Sequence, residues 1–252
     1  MIYARWYNQE NNWGDALNPY LISKISGQEI KYIKGPGLDK YLCIGSIMHY
    51  ADRSCTIWGT GCISSKAAPV EKPKKICAVR GPLTRKRLLD LGYECPEIYG
   101  DPALLLPRYL KITPKPTHNL GVVCHYMDKD NDWIKKHANN KNIKIIDVQG
   151  GVEQFAKDII SCKSIVSSSL HGIICGDAYG IPSYWAEFSN KVVGGGFKFK
   201  DYFLSVNRPI VESIKLFDKN AILNGSPQFC DYKIDIDLDQ LMDACPFNSF
   251  NK

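Results

Sequence analysis

The sequence predicts an α/β fold with two Rossmann-like domains that face each other across a cleft. Short apolar segments typical of strands alternate with segments of helical periodicity, and this alternation occurs both before and after a proline-rich stretch at 107–119. Such alternation favours parallel sheets wound by right-handed crossovers. Ligands of these sheets bind beyond the carboxyl ends of the strands, so we expect a site between the two domains at those ends.

The first α/β series precedes the proline-rich stretch. We predict a strand in residues 1–7, a loop at 11–15, and a helix from Ala16 to Ser26 that Gly27 ends. The other predicted elements are strands at 41–47, 56–61 and 75–79, a helix from Pro82 to Leu91, and closing segments at 97–100 and 103–106.

The second α/β series follows the proline-rich stretch, which we interpret as a linker between the two domains. Its predicted strands lie at 120–124, 143–148, 164–166 and 183–188. Its predicted helices lie at 131–139, at 152–162 and from the Ser-Leu-His turn at 169–171 to Tyr179. We place the domain boundary within the linker, which gives an N-terminal domain of residues 1–113 and a C-terminal domain of residues 114–252. The end of the chain is expected to pack back on the first domain.

Charge and hydropathy narrow the class of protein. The 252 residues carry a net charge of +6, which suits acidic partners, but no motif for reading nucleic acid is present. No apolar run of ~18 residues could cross a membrane, and the first seven residues do not resemble a signal peptide. We expect a cytoplasmic protein and leave open a peripheral contact with the inner membrane face.

The ten cysteines show no C-x-x-C spacing, so neither a zinc ribbon nor a thioredoxin motif is predicted. Several lie in apolar runs, where cysteine acts as a small hydrophobic residue: Cys43, Cys77, Cys124 and Cys162. Without an export signal, reduced thiols are expected. No metal and no resident cofactor are predicted.

The most informative segment is Ser164–Gly172, with the sequence SIVSSSLHG. It predicts a strand, a tight turn and a helix, so that hydroxyls, an imidazole and the free N–H groups of a helix N-terminus lie together. A helix N-terminus attracts anions, and an imidazole exchanges protons near neutral pH. The alternative is purely structural, because serines are good N-caps and His171 could simply pack.

Further candidates stand at other strand ends and loops. Asp15, with Asn12 and Gly14 beside it, either caps a helix or accepts a proton from a sugar hydroxyl. Arg80 follows a strand and could bind an anion, or could form a salt bridge to a loop. His125 ends a strand of the second domain at the expected ligand edge.

The segment Gly194–Tyr202 begins with three glycines, followed by aromatic residues that alternate with lysines. It is either a mobile lid that brings Lys198 or Lys200 over an anion, or a plain surface loop. Arg208 is expected nearby.

Together these pieces resemble the polysaccharide pyruvyl transferase family. The motifs that carry the resemblance occur in the order found in the family, over roughly residues 8 to 210. They are Asn12–Asp15 with Leu17–Tyr20, Gly45–Ser46, Trp58–Gly61, Val79–Thr84, Gly100–Ala103, and Ser167–Gly172 with Ala178–Pro182.

The resemblance implies a two-domain fold similar to GT-B glycosyltransferases, with the acceptor on the N-terminal side and the donor on the C-terminal side. It also implies transfer of pyruvate from phosphoenolpyruvate onto two hydroxyls of one sugar, in a polysaccharide or lipid-linked oligosaccharide precursor. His171 matches the catalytic histidine of the family. Many members have arginine two residues earlier, whereas this chain has Ser169.

From the residues and the resemblance we expect His171 and Asp15 to be catalytic. The residues expected to bind substrate are Asn12, Gly14, Arg80, His125, Ser168, Ser169, Leu170, Lys198 and Arg208. In particular, His171 and Arg80 should meet across one crevice around a doubly anionic donor. Two alternatives remain: a nucleotide-sugar glycosyltransferase of the same fold, and a non-catalytic module that binds glycan or phosphate.

Overall fold

The computed structural model describes residues 1–10, 12–191, 193–216 and 231–247. The first half of the chain, before the first strand of the second sheet, contains five strands and three α-helices among its described residues. These are β1 (Ile2–Ala4), α1 (Trp13–Ser26), β2 (Ile30–Tyr32), β3 (Lys40–Leu42), β4 (Cys55–Trp58), β5 (Lys75–Ala78), α2 (Pro82–Asp90) and α3 (Leu106–Tyr109). Short 3-10 helices cover Met48–Tyr50 and Pro102–Leu105.

The second half begins with β6. Its described elements are β6 (His118–Val123), α4 (Asp132–His137), β7 (Ile143–Ile146), α5 (Val152–Ile160), β8 (Cys162–Ser167), α6 (Leu170–Ala178), β9 (Ser183–Glu187), α7 (Phe197–Ser205), β10 (Ile214–Lys215) and α8 (Leu238–Asp243). A 3-10 helix covers Tyr126–Asp128.

Each half forms one five-stranded sheet, and the strand pairs within both sheets are parallel. The strand orders are β2-β1-β3-β4-β5 and β10-β9-β8-β6-β7. The predicted α/β class is therefore confirmed. The GT-B-like arrangement of two domains, and their boundary between residues 113 and 114, stay predictions.

Several elements differ from the expectation, and β2, β10 and α8 have no predicted counterpart. Helix α1 begins at Trp13 rather than Ala16, because Asn12 caps it and its side chain accepts a hydrogen bond from the backbone N–H of Asp15. Helix α7 occupies most of Gly194–Tyr202, which was expected to be a lid or loop. The linker is shorter than predicted, since α3 takes up its start and β6 begins at His118.

The two halves share one apolar core. Trp13 of α1 packs against Phe155 of α5, with ring centroids 5.0 Å apart, and its indole N–H donates to the carbonyl oxygen of Val152 at 2.9 Å. Leu170 of α6 and Leu104 belong to the same buried cluster. Helices from both halves are thus held against one another by burial of apolar surface.

The described end of the chain contacts the first half. The indole N–H of Trp58 donates to the carbonyl oxygen of Leu241 in α8 at 2.9 Å, and the ring of Phe247 lies 4.7 Å from that of Tyr41. This segment therefore extends the core around β3 and β4.

The cysteines lie in apolar surroundings. All nine within the described ranges are buried, as expected for small hydrophobic residues, and Cys230 lies outside these ranges. Among the described residues, no helix has both the length and the apolar character needed to cross a bilayer.

Candidate active site

A cavity of about 290 Å³ opens where the carboxyl ends of the two parallel sheets meet. Its walls come from both halves of the chain, mainly from residues that directly follow β1, β3, β6 and β8. The described lining residues are Tyr7, Asn12, Asp15, Gly45, Ser46, Ile47, His49, Tyr50, Ile63, His125, Tyr126, Val148, Ser169, Leu170, His171 and Lys198. This is the edge at which open parallel sheets bind their ligands.

His171 lies in the first turn of α6, with Ser169 as the N-cap residue. Its side chain is 12% exposed and lines the cavity. The backbone of Gly14 in α1 lies directly against the imidazole, so that a Cβ atom there would overlap the ring. The imidazole is therefore held between α6 of the second half and α1 of the first half.

Asp101 lies behind this imidazole. Its Oδ2 atom is 3.6 Å from Nε2 of His171, and neither atom has a hydrogen-bond partner among the described residues. Asp101 is fully buried, and its Oδ1 accepts a hydrogen bond from the backbone N–H of Ala103 at 3.0 Å. A fixed carboxylate beside an imidazole can orient the ring and stabilise its protonated form. In the sequence, Asp101 is a carboxylate at a predicted strand end, with a simple turn as the alternative, and nothing there indicates its proximity to His171.

Asp15 lies in the first turn of α1 and is buried at the cavity wall. Its Oδ2 accepts a hydrogen bond from the side-chain amide of Asn12. Burial raises the pKa of this carboxyl to about 7, against the partial opposing effects of His171 and Asn12. The carboxyl can therefore both hold and release a proton near neutral pH, as a general acid or base must.

Lys198, in the first turn of α7, supplies the cation among the described residues that line the cavity. Burial lowers the pKa of its ammonium group to about 8, and the nearby charge of Arg80 lowers it further, while Asp15 raises it. No carboxylate among the described side chains lies within ion-pairing distance of its Nζ atom. The charge is thus directed at whatever fills the cavity.

Arg80 is fully buried and lies behind the cavity wall rather than in it. Its guanidinium donates to Asp201 of α7 at 3.0 Å, to the carbonyl oxygen of Cys62 at 2.7 Å and to the hydroxyl of Ser46 at 2.7 Å. Ser46 lines the cavity and separates Arg80 from it. Arg80 therefore forms a salt bridge, as the alternative proposed, although its partner lies in helix α7 and not in a loop. Contrary to the expectation, it does not face His171 across the cavity.

Arg208 and Ser168 also lie outside the described lining of this cavity. Arg208 is buried, with its guanidinium 3.2 Å from the carboxylate of Asp177 and 3.7 Å from the ring centre of Tyr232. Ser168 accepts a hydrogen bond from the backbone N–H of His125 at 2.8 Å, so it fixes a lining residue from behind. Neither side chain faces the cavity as predicted, because each forms its hydrogen bonds with partners that are distant in sequence.

Seven of the predicted site residues line the cavity together: Asn12, Asp15, His125, Ser169, Leu170, His171 and Lys198. Gly14 lies just behind it, against His171. Lys200 of the supposed lid forms an exposed ion pair with Glu212 instead. Within the described part of the chain, no group of three His, Cys, Asp or Glu side chains has the arrangement of a metal site.

Sequence reasoning missed four aromatic lining residues: Tyr7, His49, Tyr50 and Tyr126. A signal existed for Tyr126, because it follows His125 at the end of β6, and for Tyr7, which follows β1 by three residues. His49 and Tyr50 belong to a 3-10 helix after β3, where the sequence shows only a loop.

Comparison with known proteins agrees with this picture. The family profile of the polysaccharide pyruvyl transferases matches residues 70–190, which include Asp101 and His171. An uncharacterized protein of Acanthamoeba polyphaga mimivirus, L143, is 29% identical over 211 residues, which cover 80% of this chain and 73% of that protein. The resemblance predicted from the motifs is confirmed: residues 70–190 match the polysaccharide pyruvyl transferase family.

Proposed function

We propose that this chain is a ketal pyruvyltransferase, which moves pyruvate from phosphoenolpyruvate onto two hydroxyls of one sugar and releases phosphate. The observation that carries the proposal is one cavity that brings together His171, Asp15 and Lys198 at the N-terminus of α6. Two proton-transfer groups and a cation are what this reaction requires. The family match over residues 70–190 supports the same reaction class.

The donor side of the cavity lies between α6 and α7. Phosphoenolpyruvate carries a phosphate and a carboxylate, which need cations or unpaired N–H groups. Lys198 offers an ammonium group, and the first turn of α6 offers backbone N–H groups beside the hydroxyl of Ser169. Because serine stands where many family members have arginine, we assign the larger share of anion binding to Lys198. Arg80, whose charge is paired with Asp201, contacts the cavity wall only through its hydrogen bond to the hydroxyl of Ser46.

The chemistry then follows in balanced steps. His171 gives a proton to C3 of phosphoenolpyruvate, while a sugar hydroxyl oxygen bonds to C2 and passes its proton to Asp15. The bond from C2 to the phosphate oxygen breaks, and phosphate leaves with its electron pair. The second sugar hydroxyl bonds to C2 and closes the ketal, and its proton leaves with phosphate. Asp15 returns its proton to His171 through solvent or substrate.

We further infer a glycan acceptor, either a polysaccharide precursor or a lipid-linked oligosaccharide, and a reaction on the cytoplasmic side of the membrane. Peripheral contact of the enzyme with the inner membrane face belongs to the same proposal. The proposed function involves no nucleic-acid partner and no resident cofactor. The net charge of +6 favours both an anionic donor and an anionic lipid surface.

The proposal is tested by incubating the protein with phosphoenolpyruvate and a panel of glycan acceptors. We expect acceptor-dependent phosphate release and the mass gain of a pyruvate ketal on the acceptor. Thermal-shift measurements with phosphoenolpyruvate and with UDP-, GDP- and CMP-sugars run in parallel. Stabilisation by a nucleotide sugar alone would favour a glycosyltransferase, and binding of phosphoenolpyruvate without turnover on any acceptor would favour a binding module.

Lys198→Met is expected to raise the Kd of phosphoenolpyruvate about 30-fold, because it keeps the apolar stem and removes the cation of the cavity. Isothermal titration calorimetry measures this directly. Lys200→Met on the same helix is the matched control, because Lys200 pairs with Glu212 outside the cavity. Equal losses in both variants, or none in Lys198→Met, would remove Lys198 from the donor site.

Gly14→Ala is expected to lower kcat by at least about tenfold while the fold persists. Alanine is favoured over glycine inside a helix by ~1 kcal/mol, but its Cβ would overlap the imidazole of His171 and displace it. Steady-state kinetics measures the loss of kcat, and circular dichroism shows whether the fold persists. Lys24→Ala, on an exposed position of the same helix, should change neither. Wild-type kcat in Gly14→Ala would show that the ring position is not critical.

A further inference from the structure

We propose that one face of the cavity, formed by Tyr7, His49, Tyr50 and Tyr126, binds the acceptor as a neutral sugar residue. This surface is called the tyrosine face below. The inference rests on the proposed function, since it divides the cavity between donor and acceptor. It adds two things to the sugar acceptor that the resemblance implies: the surface that binds the sugar, and the expectation that this sugar is neutral.

The tyrosine face is assembled from both halves of the chain and is held firmly. The His49 and Tyr50 rings have centroids 4.2 Å apart, and the guanidinium carbon of Arg5 lies 4.1 Å from the centre of the Tyr50 ring. On the other side, the rings of His125 and Tyr126 are also 4.2 Å apart. Tyr50 and Tyr126 therefore each pack against a neighbouring ring, and the rest of their surface lines the cavity.

Charge divides the cavity into two regions. Burial lowers the pKa of His125 to about 4 and also lowers the pKa of His49, so burial disfavours the charged form of both imidazoles. Burial raises the pKa of Tyr126 to about 12, so its hydroxyl stays protonated. Lys198, in the first turn of α7, is the one Lys or Arg among the described residues that line the cavity, while the guanidinium of Arg5 stacks on the Tyr50 ring without lining the cavity.

This division matches the two proposed substrates. A doubly anionic donor is drawn to Lys198 and α6, whereas a sugar presents C–H groups to aromatic rings and hydroxyls to polar groups that both donate and accept. The phenol and imidazole groups of the tyrosine face have that double capacity. A carboxylate on the acceptor would find no cation among the described residues that line this face.

Asp15 connects the two regions. Asp15 lines the same cavity as Tyr50, Tyr126 and His171, so its carboxyl is open to a ligand that contacts the tyrosine face. A sugar bound there would present a hydroxyl to the base of the proposed mechanism. The volume of about 290 Å³ lies at the small end for ligand sites, so one sugar ring fits with the donor and the rest of the glycan extends outside.

The test measures binding without turnover. Neutral methyl glycosides and the matching methyl uronides are titrated by ligand-observed NMR, alone and with phosphoenolpyruvate present. We expect saturable binding of a neutral glycoside and at least tenfold weaker binding of its uronide. Tyr50→Phe and Tyr126→Phe should each weaken glycoside binding about tenfold, since each removes one hydrogen-bonding hydroxyl and keeps the ring.

Tyr20→Phe is the matched control, because the Tyr20 hydroxyl bonds to Glu153 on the exposed surface. The Kd of phosphoenolpyruvate should stay within about twofold in all three variants. The inference is overturned if no neutral glycoside binds, if the uronide binds as well, or if Tyr50→Phe and Tyr126→Phe weaken phosphoenolpyruvate instead. Glycoside binding without any binding of phosphoenolpyruvate would reject the proposed function but keep the sugar site.

Discussion

His171→Gln is expected to lower the rate of phosphate release from phosphoenolpyruvate by about 10³-fold, with the Kd of phosphoenolpyruvate changed only a few-fold. Proton transfer by a positioned side chain contributes about 10²–10⁴-fold to a rate, and glutamine keeps a polar side chain of similar reach without that ability. Single-turnover phosphate release and calorimetric titration of the donor give the two quantities separately.

His118→Gln serves as the control for this experiment. His118 begins β6 and therefore lies at the end of the sheet opposite to the cavity, where its ring contacts Thr117. Its replacement should leave the rate unchanged. If His171→Gln retained more than about a tenth of the wild-type rate, the imidazole would not be the proton donor, and the buried carboxylate of Asp101 beside it would need another explanation.

Asp15→Asn is expected to abolish transfer and, at the same time, to stabilise the fold at alkaline pH. Burial raises the pKa of Asp15 to about 7 from its ordinary 3.8, so the unfolded chain releases this proton at lower pH than the folded protein does. Stability therefore falls as pH rises from about 4 to 7, and the whole penalty is present above pH 7. Asparagine carries no such penalty.

Urea unfolding measures the free energy of unfolding of both proteins at pH 4 and pH 8. At pH 8 the variant should be more stable by ~2–4 kcal/mol, and near pH 4 the difference should largely disappear. Asp243→Asn, at an exposed position at the end of α8, should show no pH-dependent difference. A gain that is equal at both pH values would mean that ionisation of Asp15 is not its source.

The element that the sequence predicted best is the strand, turn and helix around Ser164–Gly172. Apolar residues in a short run, then serines, then a helix closed near Tyr179 are local signals, and β8 and α6 follow them closely. The positions of Asp15 and His125 were equally predictable, because both residues directly follow a strand or begin a helix at the carboxyl edge of a sheet.

What the sequence could not predict depends on contacts between distant segments. Arg80 stands at a strand end like a ligand-binding residue, but its partner Asp201 is 121 positions further along the chain. The pairing of Asp101 with His171 is hidden for the same reason. Local patterns state which side chains reach the sheet edge, whereas tertiary packing decides which of them face the cavity.

The segment Gly194–Tyr202 shows a different limit. Its three glycines indicate a flexible loop, and its alternation of aromatic residues and lysines has no helical period. Helix α7 nevertheless forms, because Phe199 stacks on Trp185 with ring centroids 4.6 Å apart, and Asp201 pairs with Arg80. Tertiary contacts therefore override a local sequence that favours a loop.

The core shared by the two halves has a consequence for catalysis. A wide hinge motion that separated the two sheets would expose Trp13, Phe155 and Leu170 to water. The free-energy cost of exposing this apolar surface makes such a motion unfavourable. The groups around the cavity are consequently set in place before any substrate arrives. Folding, rather than substrate binding, supplies the free energy of preorganisation, so substrate binding energy remains for the transition state.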